Sequence, residues 1–237
     1  MVVAIVAAIT IGPLYGIVAL FAVAGGWWAF VRMQARGALD KALSTIGGEP
    51  IDETDFPRWV NVVDGLGVSS GVNDAELRVL DSDHANAVAL ASPSRSVLIA
   101  TSALLDSLSV VEMEGIAANL LGRVKDGSAR YGTVTFGVLG GFLGSIDAAG
   151  KLVADGLGDQ RDVHSDLVAV ALTRYPPGLA RALEHLDRIG TTVAGTAPNT
   201  AHLWVAPVVD GDVGVDAAIA ATVAQPLAYR AAVLDEL

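Results

Sequence analysis

Residues Ala87 to Thr101 read A-V-A-L-A-S-P-S-R-S-V-L-I-A-T. Two short apolar runs, Ala87 to Ala91 and Val97 to Thr101, flank the turn-forming cluster Ser92-Pro93-Ser94-Arg95, and this pattern predicts a β-hairpin. Upstream, Glu76 to Asp81 (E-L-R-V-L-D) alternates in the period-2 manner of a further strand. Before it, Trp59, Val60, Val62, Val63, Leu66 and Val68 recur at helical spacing after Pro57, which predicts a helix ending near Gly71. Downstream, Ser109 followed three residues later by Glu112 has the spacing of a capping box, opening a helix that runs to about Asp126. Further helices are expected over Arg161 to Thr173, Pro177 to Ile189 and Pro226 to Leu237. The layout is α+β: a mostly helical domain over 57–237 with a small antiparallel sheet, reached through a polar connector over 33–56. There is no internal repeat.

Residues Met1 to Val31 contain no charged side chain. As a helix this run reaches roughly 46 Å, longer than the ~30 Å hydrocarbon core but too short for two spans and a turn. One transmembrane anchor over residues 1–32 is expected, with Trp27 and Trp28 at its end and Arg32, Arg36 and Lys41 beyond. The basic residues follow the span and none precedes it, so the remainder is expected on the cytoplasmic side of a bacterial plasma membrane. Ala22-Val23-Ala24 resembles a signal-peptidase site, but the apolar run is long and lacks a charged start, so the segment reads as retained. Pro13 is expected to kink it. A second uncharged stretch, Tyr131 to Ile146, spans only about 24 Å as a helix and reads as buried or interfacial rather than membrane-crossing. Its glycines, Gly137, Gly140, Gly141 and Gly144, suit close helix packing.

The 237 residues are 52% hydrophobic and only 17% charged, with a mean hydropathy of +0.52, so part of the chain is not expected to face water. Ample aliphatic surface excludes disorder. The net charge of −11 argues against nucleic acid as a partner, because phosphate contacts need clustered Lys and Arg. With no cysteine there is neither a disulfide framework nor a thiolate site.

Several segments then fall into one order. Asn61 to Val72 (N-V-V-D-G-L-G-V-S-S-G-V), Asp81 to Leu90 (D-S-D-H-A-N-A-V-A-L) and Ser96 to Leu105 are followed by Val111 to Ala118 (V-E-M-E-G-I-A-A). Arg161 to Asp166 (R-D-V-H-S-D), Thr173 to Leu183 and Gln225 to Leu234 complete the series. In this order they resemble the HtpX-like membrane zinc metallopeptidases, bacterial relatives of the CAAX prenyl proteases. The resemblance implies a gluzincin-like fold in which two histidines of one helix and a glutamate of another converge on zinc.

The chemistry departs from that pattern. In the resembled family the zinc chemistry needs two histidines at i and i+4 on one helical face, with a glutamate between them to activate water. Where the family has H-E-L-G-H, this chain has Asn119-Leu120-Leu121-Gly122-Arg123. The third-ligand glutamate corresponds to Asp162, the closing aspartate of E-x-x-x-D is kept as Asp166, and a further family aspartate is Ser128. His84, His164, His185 and His202 offer no H-x-x-x-H pair and read as surface or structural residues. Asp162 and Asp166 share a helical face but are minimal as a Mg²⁺ or Ca²⁺ pair.

The expectation is a protein with no catalytic residues, no metal and no cofactor, in which Arg123 takes the place of the metal's charge and pairs with Asp162. Its role would be that of a binding or scaffold subunit beside other membrane proteins. An extended peptide would add to a sheet edge at Asn86, Ala87, Val88, Val97 and Ile99. Lipid is contacted through residues 1–31. The alternatives are an active peptidase with atypical ligands and a purely structural membrane subunit.

Overall fold

The computed structural model describes residues 13–52, 54–139, 160–206 and 225–237, with residues 156, 158 and 208 besides. Residues up to Gly37 form one unit and Ala38 to Leu237 another. Helix α1 (Pro13–Ile46) runs through the expected end of the anchor and into the stretch expected as connector. It is long and apolar enough to cross a membrane once. In the first unit Phe21, Trp27 and Trp28 are all more than half exposed, and the Arg32 guanidinium lies 5.2 Å from the centre of the Trp28 ring. Such a face suits lipid and the headgroup boundary. The expected kink at Pro13 needs the residues before it, which lie outside those described.

In the second unit the order is β1 (Glu49–Pro50), α2 (Pro57–Ser70), β2 (Glu76–Leu80), β3 (Ala87–Ala91) and β4 (Ser96–Thr101). Then follow α3 (Ser102–Ser107), α4 (Val110–Lys125), α5 (Ser128–Leu139), α6 (Arg161–Thr173), α7 (Pro176–Ile189), a 3-10 helix (Pro198–Leu203) and α8 (Leu227–Asp235). The fold is α+β, as expected. Local chemistry accounts for the boundaries. Gly71 closes α2 at φ 78°, a conformation that costs glycine nothing. Ser109 accepts from the backbone N–H of Glu112, whose carboxylate accepts from the N–H of Ser109, so α4 opens on a full capping box.

The sheet corrects one expectation: it is mixed rather than antiparallel. Its order is β1-β2-β4-β3, with β4 inserted between β2 and β3, parallel to β2 and antiparallel to β3. Alternation within a strand reports which faces are buried, not which strand lies alongside. Here both faces are covered. Ala87, Ala89, Ala91, Leu98 and Ala100 point into the main core with Ile116, Leu120 and Leu121 of α4. Val88, Leu90, Val97 and Ile99 point the other way, against Leu39, Ala42 and Leu43 of α1, Phe136 of α5 and Trp204. The three alanines of β3 therefore lie on the side where α4 packs, and the larger side chains fill the opposite layer.

Of the uncharged stretch 131–146, residues up to Leu139 belong to α5, where Thr133 and Phe136 are buried. Gly140, Gly141 and Gly144 lie outside the described residues.

Candidate functional site: a buried charge network

Helices α4, α6 and α8 meet around five polar side chains. On α4, Asn119 and Arg123 are four residues apart and face the same way; on α6, Asp162 and Asp166 do likewise. The fifth is Arg230 of α8, which is fully buried. Arg123 Nη2 lies 3.2 Å from Asp162 Oδ1, with both side chains under a tenth exposed. Its Nη1 donates to the carbonyl of Trp204 at 3.2 Å. Asp166 is held by both edges of a bidentate contact: Arg230 Nε and Nη2 donate to its two oxygens at 2.7 Å each. Asn119 Nδ2 adds a third bond to Asp166 at 2.8 Å, and Arg230 also donates to the carbonyl of Val205. Asp162 accepts from the backbone N–H of Gln225 at 2.9 Å, and Arg161 Nε lies 3.5 Å from it.

Electrostatics follows from this packing. Burial alone would raise the Asp162 carboxyl, but Arg123, Arg161, Arg230 and the Gln225 N–H outweigh it and hold it below the ordinary carboxylate value. Burial lowers Arg123, with Asp162 opposing it, whereas for Arg230 the contacts with Asp166 outweigh burial and raise it. His202 is buried beside the network, with Nε2 3.1 Å from the carbonyl of Gly132. Desolvation pushes it down to about 4, so it is neutral at pH 7.

These residues do not fit zinc. Of the four positions the resemblance relates to zinc chemistry, Asn119 spends its amide N–H on Asp166 and Leu120 is a core aliphatic. Arg123 is a permanent cation, and Asp162 is saturated by guanidinium and backbone donors. A divalent ion at this point would face two arginines rather than two imidazoles. Ser128 turns away from the network, donating to the Arg123 carbonyl at 3.3 Å. Among the described residues no three metal-ligating side chains come together. His164 is mostly exposed, and His185 pairs with Glu112 at 3.2 Å.

Comparison with known proteins gives a consistent picture. A protein of Dictyoglomus thermophilum named Protease HtpX homolog is 28% identical, over 74% of this chain and 69% of its own. One of the same name from Tropheryma whipplei is 27% identical, over 67% of this chain and 66% of its own. A third, from Acidiphilium cryptum, is 27% identical over 78% and 75%. The chain is HtpX-like. It spans about two thirds of the length of the first two of these curated relatives. No family model matches it, and no solved structure does.

The sheet edge of this HtpX-like chain corrects another expectation. Asn86, Ala87, Val88, Val97 and Ile99 are all at most 1% exposed. Val97 and Ile99 lie on β4, which has a strand on each side. The free side of β3 is covered: Trp204 bridges to Val88, Val205 N–H donates to the Ala87 carbonyl, and Thr133 Oγ1 accepts from the Ala91 N–H. Asn86 is tied by its amide to the carbonyls of Thr191 and Ala206. An edge so occupied has no unpaired groups at these points for an incoming peptide.

Sequence reading identified four of the five network residues and missed Arg230. Its signal was present: between Gln225 and Leu234 it is the sole charged residue of an apolar helix, where a charge needs a buried partner.

Proposed function

We propose that this HtpX-like chain is a membrane-anchored pseudoprotease, a non-catalytic binding or scaffold subunit working beside other membrane proteins. The observation that carries this reading is the replacement of the metal-binding side chains by a hydrogen-bonded protein network, Arg123–Asp162 and Asn119–Asp166–Arg230. Such a network keeps the three helices together without an ion, and its two carboxylates are both engaged by protein donors rather than free to activate water. Leu120 cannot accept a proton. The one membrane-length apolar helix among the described residues supports single-pass anchoring, and the basic residues after it support a cytoplasmic second unit.

Proteolysis of unfolded casein by the full chain in mild detergent, with and without added zinc, tests the inactivity. Cleavage abolished by Asp162→Leu would refute it. For the partner, mass spectrometry of what co-purifies from mild detergent should find the same membrane protein with wild type and not with α1 replaced by an unrelated span. Recovery of the chain alone would favour a role without stable partners.

A further inference from the structure

Beside the network is a cavity of about 20 Å³, lined among others by Arg123, Arg161, Asp162, Ser165, Gly132 and His202. That volume holds one water-sized guest. Among the described residues the charges around it do not balance. Arg123, Arg161 and Arg230 carry three positive charges, and Asp162 and Asp166 carry two negative ones. His202 on the wall is neutral at pH 7 and contributes none. Two donors on the lining residues are buried without an acceptor: Nε of Arg123 and Nη1 of Arg161. Buried guanidinium N–H groups left unpaired are costly, and a surplus charge largely withdrawn from water is more so. Arg161 and Asp162 also form the first turn of α6, a 13-residue helix whose amino end carries partial positive charge.

We propose that this cavity binds one small monovalent anion of the size of chloride, held by Arg123 and Arg161. The guest supplies the unit of negative charge that the described residues lack, beside the two guanidinium groups. Water could accept the hydrogen bonds but not neutralise the charge. The inference stands on the cavity and its charges, independently of whether the chain is proteolytically inactive.

The test is thermal unfolding of the full chain in non-ionic detergent, at constant ionic strength, with chloride or bromide replacing gluconate. Wild type should gain stability along a saturating curve, by about 4 °C at ten times the Kd. Arg161→Gln, which balances the cluster at two against two, should show no response to chloride and retain its fold in gluconate. Chloride-35 line broadening on wild type gives a second readout, expected to be quenched by bromide. A wild-type midpoint that is equal in chloride and gluconate, with no line broadening, would mean a water occupies the cavity and would overturn the proposal. So would a chloride response that survives Arg161→Gln unchanged.

Discussion

Arg230 and Asp166 carry the tightest contact of the network, and their separation of 64 residues explains why it was hidden. Asn119, Arg123, Asp162 and Asp166 were legible because each pair repeats at i, i+4 and falls on positions with known partners in a resembled family. Nothing local ties α8 to α6. The energetic consequence is measurable. Arg230→Met leaves Asp166 buried with Asn119 alone and should cost about 4 kcal/mol of stability, whereas Arg230→Met with Asp166→Leu should recover most of it. Arg123→Met should cost less, about 3 kcal/mol, because Asp162 keeps Arg161 and the Gln225 N–H. Denaturant unfolding of the single and double variants gives the coupling directly; a coupling energy near zero in both cycles would show that the pairs contribute nothing. His202 adds a pH effect of defined sign. Its pKa is depressed in the fold, so the unfolded chain binds the extra proton between pH 6.5 and about 4, and stability falls with acid over that window. The loss should be about 3 kcal/mol in wild type and absent in His202→Gln, read from denaturation midpoints at stepped pH. Below that window Asp162 takes over: its depressed pKa means that its contribution is lost only as pH falls below the usual carboxylate range.

The helices that carry these residues owe their positions to small side chains. A methyl group on Gly115 of α4 would come within 2.7 Å of the Leu179 Cα of α7, and one on Gly122 within 2.9 Å of Val168 of α6. Gly65 in α2 has nothing within 4 Å. The same substitution should therefore act in opposite directions. Gly115→Ala should destabilise by about 2 kcal/mol, since backbone cannot yield without moving a helix. Gly65→Ala should stabilise by about 0.5–1 kcal/mol through helix propensity alone. Thermal midpoints of the two variants check this, and equal shifts would contradict it. Elements of this kind were readable where a cap or a period was local. The capping box at Ser109 and the bounds of α6 match the expected residues, and the hairpin does so except that its second strand begins one residue earlier, at Ser96. Strand order was not readable, because β2 and β4 meet only through the tertiary fold. Nor was the closing of β3 by Trp204 and Val205, which arrive more than a hundred residues later.

At the scale of the whole molecule, the apolar run was legible as a candidate anchor, and among the described residues one helix is long and apolar enough to cross a membrane. The family followed from the order of weak motifs rather than from any one of them. Topology is open to direct test: single cysteines placed near residues 115 and 170 of this naturally cysteine-free chain should both be labelled from the cytoplasmic side, and labelling from opposite sides would contradict the fold. The central claim is that a protein ion network stands at the positions where the resemblance implies zinc. Its most direct test is the metal content of the full chain, purified without a polyhistidine tag, exposed to zinc and dialysed. The account predicts only trace zinc, equal in wild type and Asp162→Leu. One zinc per chain in wild type, lost in Asp162→Leu, would contradict it.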